Sequence, residues 1–480
     1  MLFNSREFIF FFAAVVGLYY LIPARARNLL LLICSYYFYM CWKAEYAVLI
    51  LASTLVDYYV ALRIEGSETP GQRRALLGLS LGTNLGILFA FKYANFFAES
   101  ARSLLTDFNI FWNIPTFDLL LPVGISFYTF QTLSYSIDVY KGDLKPEKSF
   151  INFALYVSFF PQLVAGPIER ASRLLPQFRK EQSPTFSSMI SGGQLMLWGL
   201  FKKVVVADRL AAVVDYVYSA HGTAGGLTLL FATYCFSFQI YCDFSGYSDV
   251  AIGAARILGY DLMENFRRPY FSKSLGEFWR RWHISLSTWF RDYLYLPLGG
   301  NRVSKVRGGV NILIVFLVSG LWHGANWTFV IWGLIHGVWL LLERQFKPLL
   351  DAMKQRMPGL SSLVLGFVTF HIVVISWVFF RAETIGKAVV IVGSILGDLA
   401  SGAFSVGDSL ASLGLNSIEA TICLAGLSLL LLKDFSDEKG LLKSDKGFDV
   451  VLRSAFYYAI TILMLYFAAP VTQQFIYFIF

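Results

Sequence analysis

The sequence predicts an all-α, polytopic membrane protein, and three observations carry that prediction. Of its 480 residues, 56% are hydrophobic and only 15% are charged, where a soluble chain carries about a quarter charged. The mean hydropathy is +0.57, and the apolar residues are spread along the whole chain. Several apolar runs reach the ~17–25 residues that a helix needs to cross a bilayer. About eleven crossings are expected, with re-entrant and interfacial helices between them. No stretch between the runs holds a soluble domain of any size, so residues 1–480 read as a single membrane domain.

The runs follow in order. The first, 8–22, comes after a polar start (Asn4, Ser5, Arg6, Glu7). It has no small-residue cleavage site before Pro23, and Arg25 and Arg27 come next, so it reads as a retained helix and not a secretory signal. Runs at 28–42, 46–62 and 76–91 continue the pattern across a short charged loop at 63–75. The next two are interrupted: 119–137 holds Pro122-Val123-Gly124, and 150–166 holds Pro161 and leads into Ala165-Gly166-Pro167. Proline removes a donor and glycine adds freedom, and broken backbone is tolerated at membrane depth only where protein or a cavity shelters it. Re-entrant segments are therefore predicted there. Runs at 188–206, 227–258, 309–321, 325–342, 361–380, 387–398, 415–432 and 454–470 complete the chain, with mixed-charge loops at 343–359 and 433–449. Cys34, Cys41, Cys235, Cys242 and Cys423 all lie in apolar runs without a C-x-x-C pair, so neither a disulfide framework nor a metal site is expected.

The positive charge is local. Between Arg267 and Arg307 nine Lys or Arg face two acids, Glu277 and Asp292, which leaves +7 of the chain's +8. Lys/Arg bias in short loops marks the cytosolic side, so 267–308 is expected to be a basic interfacial segment facing the cytosol. Its interleaved aromatics (Phe278, Trp279, Trp282, Trp289, Phe290) suggest an amphipathic helix lying among the headgroups. A plain lipid anchor would explain that charge but not His283 within it.

Five histidines are available. His221 falls in a loop, and His336 and His371 fall on apolar helices where a backbone or side-chain partner would explain them. His323 stands apart in Leu321-Trp322-His323-Gly324-Ala325-Asn326-Trp327, where flanking glycines permit a helix break. Ionisable groups inside a membrane usually face a bundle interior or a cavity, and a neutral imidazole there can still take a proton. His283 is the natural second member, beside Arg280 and Arg281, whose guanidiniums suit phosphate. The buried acids Asp57, Asp243 and Asp249 each require a hydrogen-bonding or cationic partner. Walker A and H-E-x-x-H motifs are absent from the sequence. A nucleic-acid partner is not expected of a basic membrane loop.

The run Phe278-Trp279-Arg280-Arg281-Trp282-His283-Ile284-Ser285-Leu286-Ser287, followed by Trp289-Phe290-Arg291-Asp292-Tyr293 and Pro297-Leu298-Gly299-Gly300-Asn301, resembles the signature of the membrane-bound O-acyltransferases. So does Leu321-Trp322-His323-Gly324. Supporting stretches are 121–131, 160–168 and 241–249, and the resemblance extends from the first residues to about Arg381. Within the family it is strongest to the bacterial branch that O-acetylates alginate and related polysaccharides. The resemblance implies tilted helices around a central tunnel, with His323 and His283 as the catalytic pair. It implies donor contacts at Arg280, Arg281, Trp282, Ser285 and Arg291, and a tunnel lining that includes Trp322, Asn326, Asp243 and Ser245. It further implies no metal and no bound cofactor, with acetyl-CoA or another acyl-thioester as co-substrate. The expected setting is a bacterial inner membrane, with an extracytoplasmic partner of SGNH type and a polysaccharide acceptor. Two alternatives stay open at this point: D-alanyl transfer to teichoic acid from a carrier protein, and a proton-coupled transporter or flippase.

Overall fold

The computed structural model describes residues 1–110, 115–117, 120–164, 166–402, 405–441, 448–469 and 473–476, and among them every regular element is helical. Leu119, Ala165, residues 442–447 of the predicted 433–449 loop, and Pro470 fall outside the described residues. Among the described residues, five helical stretches are long and apolar enough to cross a membrane: Ala44–Glu65, Pro70–Asp107, Gly226–Ile257, Lys305–His323 and Pro358–Arg381. The chain forms two compact units, one of Met1–Gly193 with Ala251–Met263, the other of Gln194–Val250 with Glu264–Phe480.

In the first unit, α1 (Arg6–Leu21) starts where Ser5 Oγ accepts from Phe8 N, satisfying one of the orphan donors of its first turn. It is followed by α2 (Ala24–Met40), α3 (Ala47–Glu65) and α4 (Pro70–Leu88), the last capped by Thr69 with proline at its first position. A π-helical turn, Phe89–Tyr93, joins α4 to α5 (Ala94–Asp107). Helices α3, α4 and α6 (Ile125–Lys141) pack on one another around the fully buried Asp57. Its carboxylate accepts from Asn84 Nδ2 (2.8 Å), Ser136 Oγ (3.0 Å) and Ser80 Oγ, so donors from two neighbouring helices replace its lost hydration. Asp57 is thereby a helix lock.

Both predicted breaks exist. Helix α6 begins only after Gly124, whose φ of +76° and close approach to Leu163 O (2.6 Å from where a Cβ would stand) leave room for glycine alone. The other break separates α7 (Phe150–Ser158), a single turn α8 (Phe160–Leu163) and α9 (Ala171–Phe178). There the Tyr156 hydroxyl lies 3.3 Å from Gln131 O on α6 and 3.1 Å from Glu169 O, a carbonyl outside any helix.

Helix α10 (Phe186–Phe201) supplies residues to both units. In the second unit a π-helical turn, Lys202–Ala207, leads to α11 (Asp208–Ser219) and sets two lysines into the interior. Lys203 Nζ lies 2.6 Å from Asp243 and 2.8 Å from Asp208; Lys202 Nζ lies 2.7 Å from Asp249 and 2.8 Å from Ser245 Oγ. The acids are carried by the 32-residue α12 (Gly226–Ile257) and α11, and each has the cation its burial demands.

The basic segment departs from expectation. In place of one amphipathic helix there are two seven-residue helices, α13 (Leu275–Arg281) and α14 (Ile284–Phe290), joined through Trp282 and His283. Phe278, Trp279, Trp282, Trp289 and Phe290 are buried in protein, because the bend at His283 turns the aromatic side of both helices inward. After α15 (Lys305–His323) and α16 (Trp327–Gln345) come α17 (Lys347–Arg356), α18 (Pro358–Arg381), α19 (Ile385–Ser401), α20 (Val406–Ala411), α21 (Ser417–Lys439) and α22 (Phe448–Phe467). Helices α15 and α16 pack backbone against backbone. A Cβ on Gly320 would stand 2.2 Å from Phe329 O, and one on Gly333 2.2 Å from Phe316 O. Small residues permit such approach where lipid offers no hydrophobic drive between helices.

Candidate functional site

Two histidines, forty positions apart in sequence, come together in the second unit. His323 closes α15, one turn beyond the Gly320 contact, and is almost entirely buried. Its ring sits among Trp322 (centroids 5.0 Å apart), Trp332 (5.0 Å) and Phe380 (5.5 Å). The His283 ring centroid is 6.4 Å from that of His323, and Trp322 lies beside both.

His283 occupies the left-handed region with φ +43°, rare for a side chain of this size. Its conformation is held by Asn265: Ile284 N donates to Asn265 O (2.9 Å), and Ser285 N and Ser285 Oγ donate to Asn265 Oδ1 (3.2 and 2.9 Å). His283 Nδ1 lies 3.2 Å from the same Oδ1. A backbone N–H can only donate, so the atom it meets is the amide oxygen, and His283 Nδ1 must then carry a proton. The tautomer follows: Nδ1–H, with the lone pair on Nε2. Burial pushes the His283 pKa down to about 3, so the ring is neutral at physiological pH.

The other histidines have structural partners. His336 Nδ1 accepts from Trp279 Nε1 (3.3 Å), and His336 Nε2 meets Ser376 Oγ at 2.9 Å, where the serine proton already goes to Val373 O. His371 is held between Phe367 O and the Tyr234 hydroxyl, both at 2.8 Å. His221 Nδ1 lies 3.0 Å from Tyr218 O.

Beside the histidine pair opens a cavity of about 970 Å³, at the upper end of the range for sites that enclose a medium-sized organic molecule. Its wall carries Arg267, Arg268, Arg280, Arg281 and Arg291 against Glu277 and Glu438, together with apolar side chains that include Ile284, Leu286, Phe290 and Phe316. It reaches Ser319, four residues before His323 and therefore on the same side of α15. Neither histidine lines it.

The residues singled out from sequence distribute as follows. Arg280, Arg281 and Arg291 line the cavity. Arg280 has no ion pair among the described residues and is exposed. Arg291 pairs with Asp292 (2.7 Å), and Arg281 is held by Glu277 (2.7 Å) and by both oxygens of Glu438 (3.0 Å each). Trp282 is fully buried and stacked on Phe278, with Phe266 and Trp377 also against it, apart from the cavity wall. Ser285 belongs to the Asn265 arrangement. Asn326 caps α16, its Oδ1 accepting from Thr328 N and its Nδ2 donating to Glu383 O. Asp243 and Ser245 serve the two buried lysines, while Phe244 between them packs edge-on to His283 at 4.6 Å. Asn265 and Glu438 are absent from the sequence reading. Asn265 sits two residues before the basic run and was open to notice; Glu438 gives no local signal.

A profile of the membrane-bound O-acyltransferase family matches residues 144–380, which contain both histidines and the cavity's basic helices. The chain is 44% identical over 412 residues to a protein of Pseudomonas putida named as a probable alginate O-acetylase, covering 85% of this chain and 81% of that one. A protein of the same name from Azotobacter vinelandii is 44% identical over 391 residues, covering 81% and 76%. A peptidoglycan O-acetyltransferase of Helicobacter pylori is 37% identical, covering 83% and 80%.

Proposed function

Since the chain belongs to the membrane-bound O-acyltransferase family and is an O-acyltransferase, we propose that it moves an acetyl group from cytosolic acetyl-CoA across the membrane for O-acetylation of an extracytoplasmic polysaccharide. The observation that carries this reading is a cavity lined by both arginines and apolar side chains that reaches Ser319, one helical turn from His323. A thioester donor is anionic at its nucleotide end and apolar at its acyl end, and the cavity lining offers partners for both. Names of similar proteins, an alginate O-acetylase and a peptidoglycan O-acetyltransferase, support acetyl as the group and a glycan as acceptor.

In this mechanism Arg280 and Arg291 meet the donor's phosphates, and the acyl arm runs along Ile284, Leu286 and Phe316 past Ser319. Reaching His323 takes a further ~5.4 Å, one helical turn. The acceptor oxygen attacks the thioester carbonyl carbon; a C–O bond forms, the C–S bond breaks, and the hydroxyl proton passes through His323 to the leaving thiolate. Products are an acetyl ester and the free CoA thiol. His283, held neutral with its lone pair on Nε2, accepts a hydrogen bond that orients the hydroxyl. His323 is assigned the base by position: it stands one helical turn beyond Ser319, where the cavity reaches α15. Holding both reactants in line supplies proximity. The same reading carries about eleven crossings around a tunnel, a bacterial inner membrane, and an SGNH-type partner that delivers the group onward.

His323→Ala tests it. Membranes with normal amounts of the variant should lose acetyl-CoA turnover by at least about 100-fold. Unchanged turnover removes His323 from the chemistry and sinks the mechanism.

A further inference from the structure

The cavity wall contains one acid from a distant part of the chain. Glu438 stands at the end of α21, 157 residues beyond Arg281 and 170 beyond Arg268. Its Oε2 accepts from Arg268 Nε (2.7 Å) and Arg281 Nη1 (3.0 Å), and its Oε1 accepts from Arg281 Nη2 (3.0 Å). All three side chains are only about a quarter exposed or less. Arg268 has φ +45°, a left-handed backbone that an arginine does not adopt without restraint. Among the described residues no hydrogen bond engages the two Nη nitrogens of Arg268, which lines the cavity. A guanidinium has five N–H donors in a fixed plane, so an arginine fixed through Nε presents its outer edge in a set direction.

We infer that Glu438 is a positioning residue for the acyl donor: braced by Arg281, it orients Arg268 on the cavity wall so that the outer edge of that guanidinium is ready for the donor's phosphates. The inference rests on the donor-cavity reading above. Two effects oppose each other. Glu438 repels an anionic ligand, but in a mouth open to solvent and salt that repulsion is screened. Against it stand three charge-assisted bonds that hold two long, flexible side chains and a strained backbone in one arrangement. Pre-organisation of this kind lowers the ordering cost that binding would otherwise incur, and it dominates.

The test uses the purified full-length protein with coenzyme A as binding probe and acetyl-CoA as substrate. Glu438→Gln keeps the shape and removes the charge. It should raise both the Kd for coenzyme A and the KM for acetyl-CoA by about 5- to 20-fold, with kcat within twofold of the parent protein. Glu438→Asp should fall in between, and acetyl-pantetheine, which lacks the nucleotide and its phosphates, should show the same KM with either protein. A merely structural acid would damage kcat and impair acetyl-pantetheine equally, and that result overturns the inference. So does an unchanged or lowered KM, the latter meaning that Glu438 competes with phosphate. If Glu438→Gln weakens coenzyme A binding while the parent protein transfers no acetyl group, the acetyltransferase reading fails and this one stands. If His323→Ala abolishes turnover and Glu438→Gln changes nothing, the reverse holds. Absence of coenzyme A binding to the parent protein removes both.

Discussion

Replacing Asn265 by alanine probes how the histidine pair is held. The Asn265 side chain accepts from Ser285 N (3.2 Å), Ser285 Oγ (2.9 Å) and His283 Nδ1 (3.2 Å), and donates to Ser248 Oγ (3.3 Å), all in buried positions. The two hydroxyls can rotate toward other acceptors, so they are left out of the count. That leaves two fixed donors, the Ser285 N–H and the His283 Nδ1–H, each costing about 1–3 kcal/mol when stranded. Asn265→Ala should therefore destabilise by about 2–6 kcal/mol, a large share of a typical 5–15 kcal/mol total. With Nδ1 released, the His283 tautomer is no longer set, and kcat should drop on the order of 100-fold even in the fraction that stays folded. Asn265→Asp keeps the acceptor oxygen and adds a charge facing the imidazole, which raises the His283 pKa. It should retain more activity than alanine. Thermal unfolding in detergent, with acetyl transfer normalised to folded protein, measures both quantities. An alanine variant as stable and as active as the parent refutes the tautomer argument.

Two further outcomes follow from the same geometry. Because the His283 pKa is depressed to about 3 against ~6.5 in the unfolded chain, the unfolded state binds more protons between those values. Stability then falls as pH drops through that window, by up to about 1.4 kcal/mol per unit; unfolding midpoints of the parent and His283→Asn between pH 7 and pH 4 should diverge, and parallel curves contradict the burial argument. Gly320→Ala places a methyl 2.2 Å from Phe329 O, a backbone atom that cannot swing aside. It should cost about 1–3 kcal/mol and reduce turnover through the shift it forces on His323 one turn away; a neutral substitution would show that the α15–α16 contact is loose.

The legible part of this protein is what local sequence carries. Both backbone breaks were readable because proline and glycine act where they stand, and Gly124 now shows the reason in its φ and its contact with Leu163 O. The basic segment and His323 announced themselves by composition and by flanking glycines. The form of that segment did not follow: alternating aromatics and charges suggested one surface helix, yet Trp282 and Trp289 turn inward because the chain bends at His283. Arg281 reads as a phosphate ligand by its neighbours, and the structure adds what no neighbour announced: Glu277 and Glu438 engage it.

Amino-acid sequence alone determined the membrane class, the family, the local positive charge and the two histidines, since each rests on composition or on residues within a few positions of one another. Tertiary structure decided which residues meet: the 6.4 Å approach of His283 to His323, the proton placed on Nδ1 by Asn265, and the tie from Glu438 to two arginines more than 150 positions away. Helical periodicity reports which face a residue takes on its own helix. Partnership across helices depends on how those faces pack, and no local pattern encodes that distance.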